Sequence, residues 1–331
     1  MIRIMKIGVL MLTFCILGCK SNTSKTYIDD NIPENTKSEI SILNSKLYEA
    51  LKDGNKQKVK ELLSTGLQKE SRVGIDSVIE IGHRYIMEAD SYSIAKEFYI
   101  INSTENVSNT IFSGLSGDYD YIFHYLALNK EMYITMIVPK TEPDQMLITC
   151  IYGKYSEGWK INIINFGLYQ INKMNAIDLY KEAQKKYKKG YLIDAANTMF
   201  LLQSCLYPAT NYMQYQLDGK INDFYKSIQT EIKQKYVLPN ELNTIQSKPK
   251  IFNIYPQRVV EGHFPMIEYV TQISLKDTLN LRKENDEIHK LIGKIYPGID
   301  KDKKLLFYKA WSEMPNGITK VDTYGFVKHL N

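Results

Sequence analysis

The 331-residue chain has only four cysteines, and two of them, Cys15 and Cys19, fall in its first twenty residues. Cys150 and Cys205 remain for the body, too few for the disulfide framework of a small secreted domain. They read equally as one disulfide or as two buried thiols, because spacing alone does not bring two Cα atoms within bridging distance. Charge of one sign is also scarce. The formal net charge is +5, and no basic run with interleaved aromatics tracks a phosphate backbone, which excludes nucleic acid as a partner. The lysine pairs in QKKYKKG (184–190) read as the solvated end of a helix. No GxxxxGK[ST] phosphate loop and no HExxH zinc motif occurs, and the sequence implies no cofactor. Gly114-Leu115-Ser116-Gly117-Asp118 comes nearest to a nucleophile elbow, but its second glycine arrives one residue early, so it reads as a loop. Asp300 and Asp302 begin like a calcium loop, yet Lys304 stands where an oxygen ligand is needed.

Long apolar runs are equally rare. The one at Ile7–Leu17, preceded by Arg3 and Lys6, is shorter than the about 20 residues a spanning helix needs and has the flanks of a secretory signal. It ends in Ile16-Leu17-Gly18-Cys19, which resembles the lipobox of bacterial lipoproteins. The resemblance implies removal of residues 1–18, lipidation of Cys19, and membrane attachment through that lipid in the cell envelope. Each buried methylene of such a chain contributes about 0.8 kcal/mol. Lys20, rather than aspartate, follows the cysteine, and by resemblance to enterobacterial sorting this implies the outer membrane. Loss of Arg3 and Lys6 would take the net charge from +5 to +3. Residues 19–37 are polar and read as a flexible tether.

Apolar positions Ile40, Leu43, Leu47, Leu51, Val59 and Leu62 recur at helical spacing around a turn at Asp53-Gly54-Asn55, and a second helix is expected over Ile75–Met87. From Ser93 the period changes to strands at 93–102, 120–129, 132–140, 145–155 and 158–167, separated by turn residues such as Glu142-Pro143-Asp144. Helices followed by a meander predict an α+β domain over 38–172. With its LYEALKDGNKQKVKELL opening and GKYSEGWKINIINFGLY finish it resembles NTF2-like domains, in which a curved antiparallel sheet packs on N-terminal helices. A cystatin-like helix and sheet would give nearly the same string.

Residues 173–237 are expected to be helical, and AIDLYKEAQKKYKKGYLIDAANTMFLLQSCLYPA resembles one tetratricopeptide helix pair, which cannot bury its apolar face alone and would serve as a packed spacer. After a linker, 250–331 reads as a small C-terminal α+β unit.

Five scattered histidines predict no metal site. In NTF2-like enzymes a histidine or aspartate inside the sheet can act as a base, and the resemblance gives that place to His124. Tyr121, Tyr133, Tyr152 and Trp159 are the aromatics that could line a ligand pocket, though any sheet core needs such residues. Three expectations follow: a tethered module without catalytic residues that binds a small ligand or another envelope protein; a pocket enzyme using His124; or a structural spacer.

Overall fold

The apolar stretch MYITMIVP forms a strand buried on both faces. That explains why its residues do not alternate between polar and apolar as those of a half-exposed strand do. In the computed structural model, which describes residues 24–70 and 74–330, it lies at the centre of an open sheet. The N-terminal half contains β1 (Lys25–Ile28), α1 (Glu34–Lys52), α2 (Lys56–Leu62), α3 (Thr65–Glu70), α4 (Ile75–Ile86), β2 (Tyr92–Ile101), β3 (Ser108–Phe112), β4 (Tyr121–Leu126), β5 (Glu131–Pro139), β6 (Gln145–Tyr155) and β7 (Gly158–Gln170). The main sheet has the order β1-β2-β5-β6-β7 and is antiparallel throughout.

Part of the segment 19–37, expected as a flexible tether, is regular structure. Lys25–Ile28 extends the edge of β2, and α1 starts at Glu34. Cys19, the expected lipidation site, lies outside the described residues.

The main sheet divides two cores. On one face Tyr133, Ile137, Ile148, Cys150, Tyr152 and Ile161 pack against Ile40, Leu47, Leu51, Val59, Ile79 and Ile86 of the N-terminal helices. On the other, Phe98, Met132, Ile134, Met136 and Ile151 meet the chain that follows. That chain is α5 (Ala176–Lys188), α6 (Leu192–Cys205), β8 (Met213–Tyr215) and α7 (Asp218–Lys235). A capping box of Asn175 and Asp178 starts α5, and Gly190 (φ +77°) turns the chain into α6. β3 and β4 do not join the meander, as the sequence had suggested for 120–129. They cross to this second face and pair with β8 in a separate sheet of order β3-β4-β8. The helix pair is therefore a wall of the second core rather than a spacer. Cys150 and Cys205 are both free and lie on opposite sides of the main sheet, which removes the disulfide alternative.

The C-terminal part holds β9 (Asn240–Glu241), β10 (Lys250–Val259), β11 (Gly262–Val270), α8 (Thr278–Ile295), β12 (Leu305–Trp311) and β13 (Thr323–His329). Its sheet runs β13-β12-β11-β10-β9, with β11 and β12 parallel across the α8 crossover and the other pairs antiparallel. Tyr269, Leu306 and Tyr308 pack on Leu281, Ile288 and Ile292 of α8, and Ile193 of α6 belongs to the same core. The fold class is thus α+β, built on antiparallel sheets covered by helices. No helix among the described residues is long and apolar enough to cross a membrane.

Candidate functional site

The residues singled out from sequence do not share a cavity. β4 presents Tyr121, Phe123 and Tyr125 inward, which turns His124 outward with Ile122 and Leu126. His124 lines a shallow surface depression with Asn109, Thr110, Asn211 and Tyr212, outside the main sheet. The enzyme expectation required it inside the sheet's concavity, so His124 does not occupy that place. Asp120, four residues earlier, is taken up by the GLSGD turn: its Oδ2 accepts from Ser116 N at 3.0 Å and Gly117 N at 2.6 Å.

Tyr121 is buried in the second core, its hydroxyl 3.6 Å from Met136 Sδ. Tyr133, Tyr152 and Trp159 are buried in the first core. Tyr152 donates to Asn44 Oδ1 at 2.8 Å, and Trp159 Nε1 donates to Glu39 Oε2 at 2.9 Å. Trp159 also meets the Tyr99 and Tyr133 rings edge-on. These aromatics fill the space between helices and sheet in which a ligand would otherwise sit.

A cleft of about 880 Å³ opens elsewhere, where α4, the far ends of β6 and β7, α6 and the β10–β11 hairpin converge. One wall is apolar: Ile81, Met146, Phe166, Leu168, Phe200, Leu201 and Pro256. Phe200 and Tyr85 on this wall are 52 % and 44 % exposed, large apolar surfaces left open to water. Gly167 lets β7 pass the chain at Pro208, whose carbonyl oxygen would lie 2.1 Å from an added Cβ.

The polar end is built around Asp144, whose side chain is 8 % exposed. The turn Glu142-Pro143-Asp144 places it, and its Oδ1 accepts from Asn172 N at 3.2 Å. Arg258 Nε lies 3.1 Å from Asp144 Oδ2. The ring of His263 faces the same carboxylate, with Nδ1 4.0 Å from Oδ1, too long for a hydrogen bond. That buried nitrogen has no hydrogen-bond partner among the described residues. Burial pushes the His263 pKa below the ordinary imidazole value; Asp144 opposes the shift and Arg258 adds to it. Lys173 pairs with Glu142 at 2.8 Å on the rim, and Arg84 of α4 and Glu88 in the turn after it complete the rim. Thr141 and Ser204 also line the cleft, but neither hydrogen-bonds His263, so no nucleophile and base are paired in the manner of an acyl-transfer enzyme. The cleft thus joins an apolar wall to a polar end of mixed charge, with the guanidiniums of Arg84 and Arg258 set among the carboxylates of Glu88, Glu142 and Asp144.

Pattern reading missed this site because its residues come from five separate segments of the sequence. One compositional signal pointed toward it. The chain has five arginines, and two of them, Arg84 and Arg258, line this cleft.

No family model matches the chain, and no curated protein matches it in sequence. Among solved structures it is similar to a protein of unknown function from the DUF3225 family of Pectobacterium atrosepticum, at 11 % identity and TM-score 0.25, over 42 % of this chain and 94 % of that one. It is also similar to a candidate dehydratase of the NTF2-like family from Streptomyces avermitilis, at 11 % identity and TM-score 0.22, over 42 % and 99 %. A third is a candidate calcium/calmodulin-dependent kinase II association domain from Exiguobacterium sibiricum, at 11 % identity and TM-score 0.20, over 42 % and 97 %.

Proposed function

We propose that the protein is a lipid-tethered module of the cell envelope that binds a small amphiphile in the junction cleft and does not turn it over. The observation that carries the binding is the cleft itself. Its volume of about 880 Å³ lies within the roughly 300–1,000 Å³ of ligand sites, and it joins an apolar wall to a polar end at Asp144, Arg258 and His263. The tether rests on the charged start, apolar run and Ile16-Leu17-Gly18-Cys19 of the sequence. The outer membrane is the address that Lys20 favours.

Anilinonaphthalene sulfonate, an aromatic anion, is the probe. Saturable binding by the purified protein is expected, weakened by Phe200→Ala and by Arg258→Ala and unaffected by His124→Ala. Binding indifferent to both cleft substitutions would overturn the site, and absence of saturable binding would favour the structural-spacer reading. Mass spectrometry of the mature N-terminus tests the tether separately: an unmodified Cys19 refutes it.

A further inference from the structure

The point at which the chain enters the fold is fixed. Lys25 stands opposite Ile101 and Ile28 opposite Phe98, and Ser24 Oγ accepts from Ser103 N at 3.1 Å. Cys19 precedes Ser24 by five residues. A fully extended chain advances at most 3.3–3.6 Å per residue, so the cysteine lies within about 18 Å of Ser24. Resting on the reading that Cys19 carries lipid, we infer that the end of the main sheet bearing Lys25 and the 102–107 and 126–131 loops sits against the bilayer surface, while the junction cleft opens at the opposite end.

The surface at the entry point fits that occupant. Asn102 N donates to Lys130 O at 2.8 Å, Asn102 Nδ2 to Asn129 O at 2.7 Å, and Lys130 Nζ to Ser103 O at 3.3 Å, which locks the two loops together beside Ser24. These loops and the adjoining end of β4 expose Val107, Leu126 and Leu128, and Tyr155 is exposed at the neighbouring β6–β7 turn. Lys25, Lys130 and Lys154 are exposed at the same end. Apolar side chains enter the boundary of the acyl region and a tyrosine sits at headgroup level; the charge at this end is mixed, since Glu105 and Glu157 are exposed beside the lysines and Lys154 pairs with Glu131 at 3.4 Å. The lipid assumed on Cys19 selects a bilayer over a protein partner as the occupant, because it would be attached within about 18 Å of this end.

Strand direction then places the cleft. β5 runs from Glu131 at the entry end to Pro139 at the other, and β6 starts back from Gln145, so Thr141, Glu142 and Asp144 lie at the far end. At about 3.3 Å per residue, β5 alone separates the two ends by about 26 Å. The cleft therefore opens away from the lipid.

The test uses the acylated full chain, purified from envelopes and reconstituted in phosphatidylethanolamine/phosphatidylglycerol vesicles that contain a headgroup-nitroxide lipid. Leu128→Cys, Tyr155→Cys and Phe200→Cys each receive a bimane; Cys150 and Cys205 are fully buried and do not compete for label. Loss of fluorescence at 128 and 155 with none at 200 is the expected result. A long Gly/Ser insertion after Asn22 should abolish the difference. Equal quenching at all three sites, quenching confined to 200, or no quenching of acylated, vesicle-bound protein overturns the orientation alone. Failure to float with vesicles, together with an unmodified Cys19, overturns the tether and the orientation with it.

Discussion

Asp194, in the first turn of α6, accepts a hydrogen bond from Lys303 of the C-terminal loop, and both side chains are nearly sealed from water, at 4 % and 12 % exposure. Lys303 also donates to the carbonyls of Gly298 and Lys301, both at 2.7 Å. Burial raises the pKa of Asp194 and lowers that of neighbouring Lys186, which donates to Thr198. The GIDKDKK segment, which begins like a calcium loop, instead supplies the lysine that fastens the C-terminal sheet to the helix pair. Lys303→Met leaves the Asp194 charge without this partner and should cost about 3–5 kcal/mol in urea unfolding. Adding Asp194→Leu should recover most of that loss. A Lys303→Met variant as stable as the wild type would show that the pair contributes nothing.

Unfolding should become easier below neutral pH through His263. Its folded pKa is depressed by burial, so as pH falls through the ordinary imidazole value the unfolded chain takes up a proton that the folded chain refuses. The associated stability is complete above that value and is lost progressively from there down to the lowered folded pKa. Urea midpoints at about pH 7.5 and pH 5 should differ more for the wild type than for His263→Gln. Equal differences would mean that the ring titrates alike in both states.

Helix α4 approaches β7 through Gly82. An added Cβ would stand 2.4 Å from Phe166 Cζ and 3.2 Å from Leu51 Cδ2. Gly82→Ala must therefore displace Phe166, a residue of the cleft wall, and should destabilise by about 1–3 kcal/mol. Thermal unfolding measures the first effect, and weakened anilinonaphthalene sulfonate binding the second. A variant with wild-type melting and binding would show that the ring moves without cost.

Two buried tyrosines should respond oppositely to loss of the hydroxyl. Tyr152→Phe leaves Asn44 Oδ1 without its donor inside the first core and should cost about 1–3 kcal/mol. Tyr269 has a buried hydroxyl with no partner among the described residues, so Tyr269→Phe should be neutral or stabilising. Denaturant midpoints of the two variants decide, and a reversed order would contradict the hydrogen-bond assignment.

Local chemistry made much of the architecture readable. Apolar spacing over Ile40–Leu51 and the change of period after Ser93 are properties of neighbouring residues, and α1 and β2 follow from them. The helix over Thr278–Ile295 is legible for the same reason. β4 was visible as a strand, but its partner was not. YIFHYL alternates as a strand with one buried face, and nothing in that alternation says whether the face meets the main sheet edge to edge or covers it from above. Lys25–Ile28 was hidden because four residues pairing at an edge need no hydrophobic pattern of their own. The cleft was least legible, since Asp144, Arg258 and His263 lie in a turn, a strand and the start of its hairpin partner, brought together only when the C-terminal sheet docks on α6.

Helix α6 contributes Ala195, Met199 and Leu202 to the core beneath the main sheet and Ile193 to the core of the C-terminal sheet. A gene fragment ending at residue 172 would still encode every strand of the main sheet, yet would leave Phe98, Met132, Ile134 and Met136 without the helices that cover them. Such a fragment should aggregate. The unit that folds together therefore includes α5 to α7, and any exchange of the first 172 residues would have to carry those helices with them.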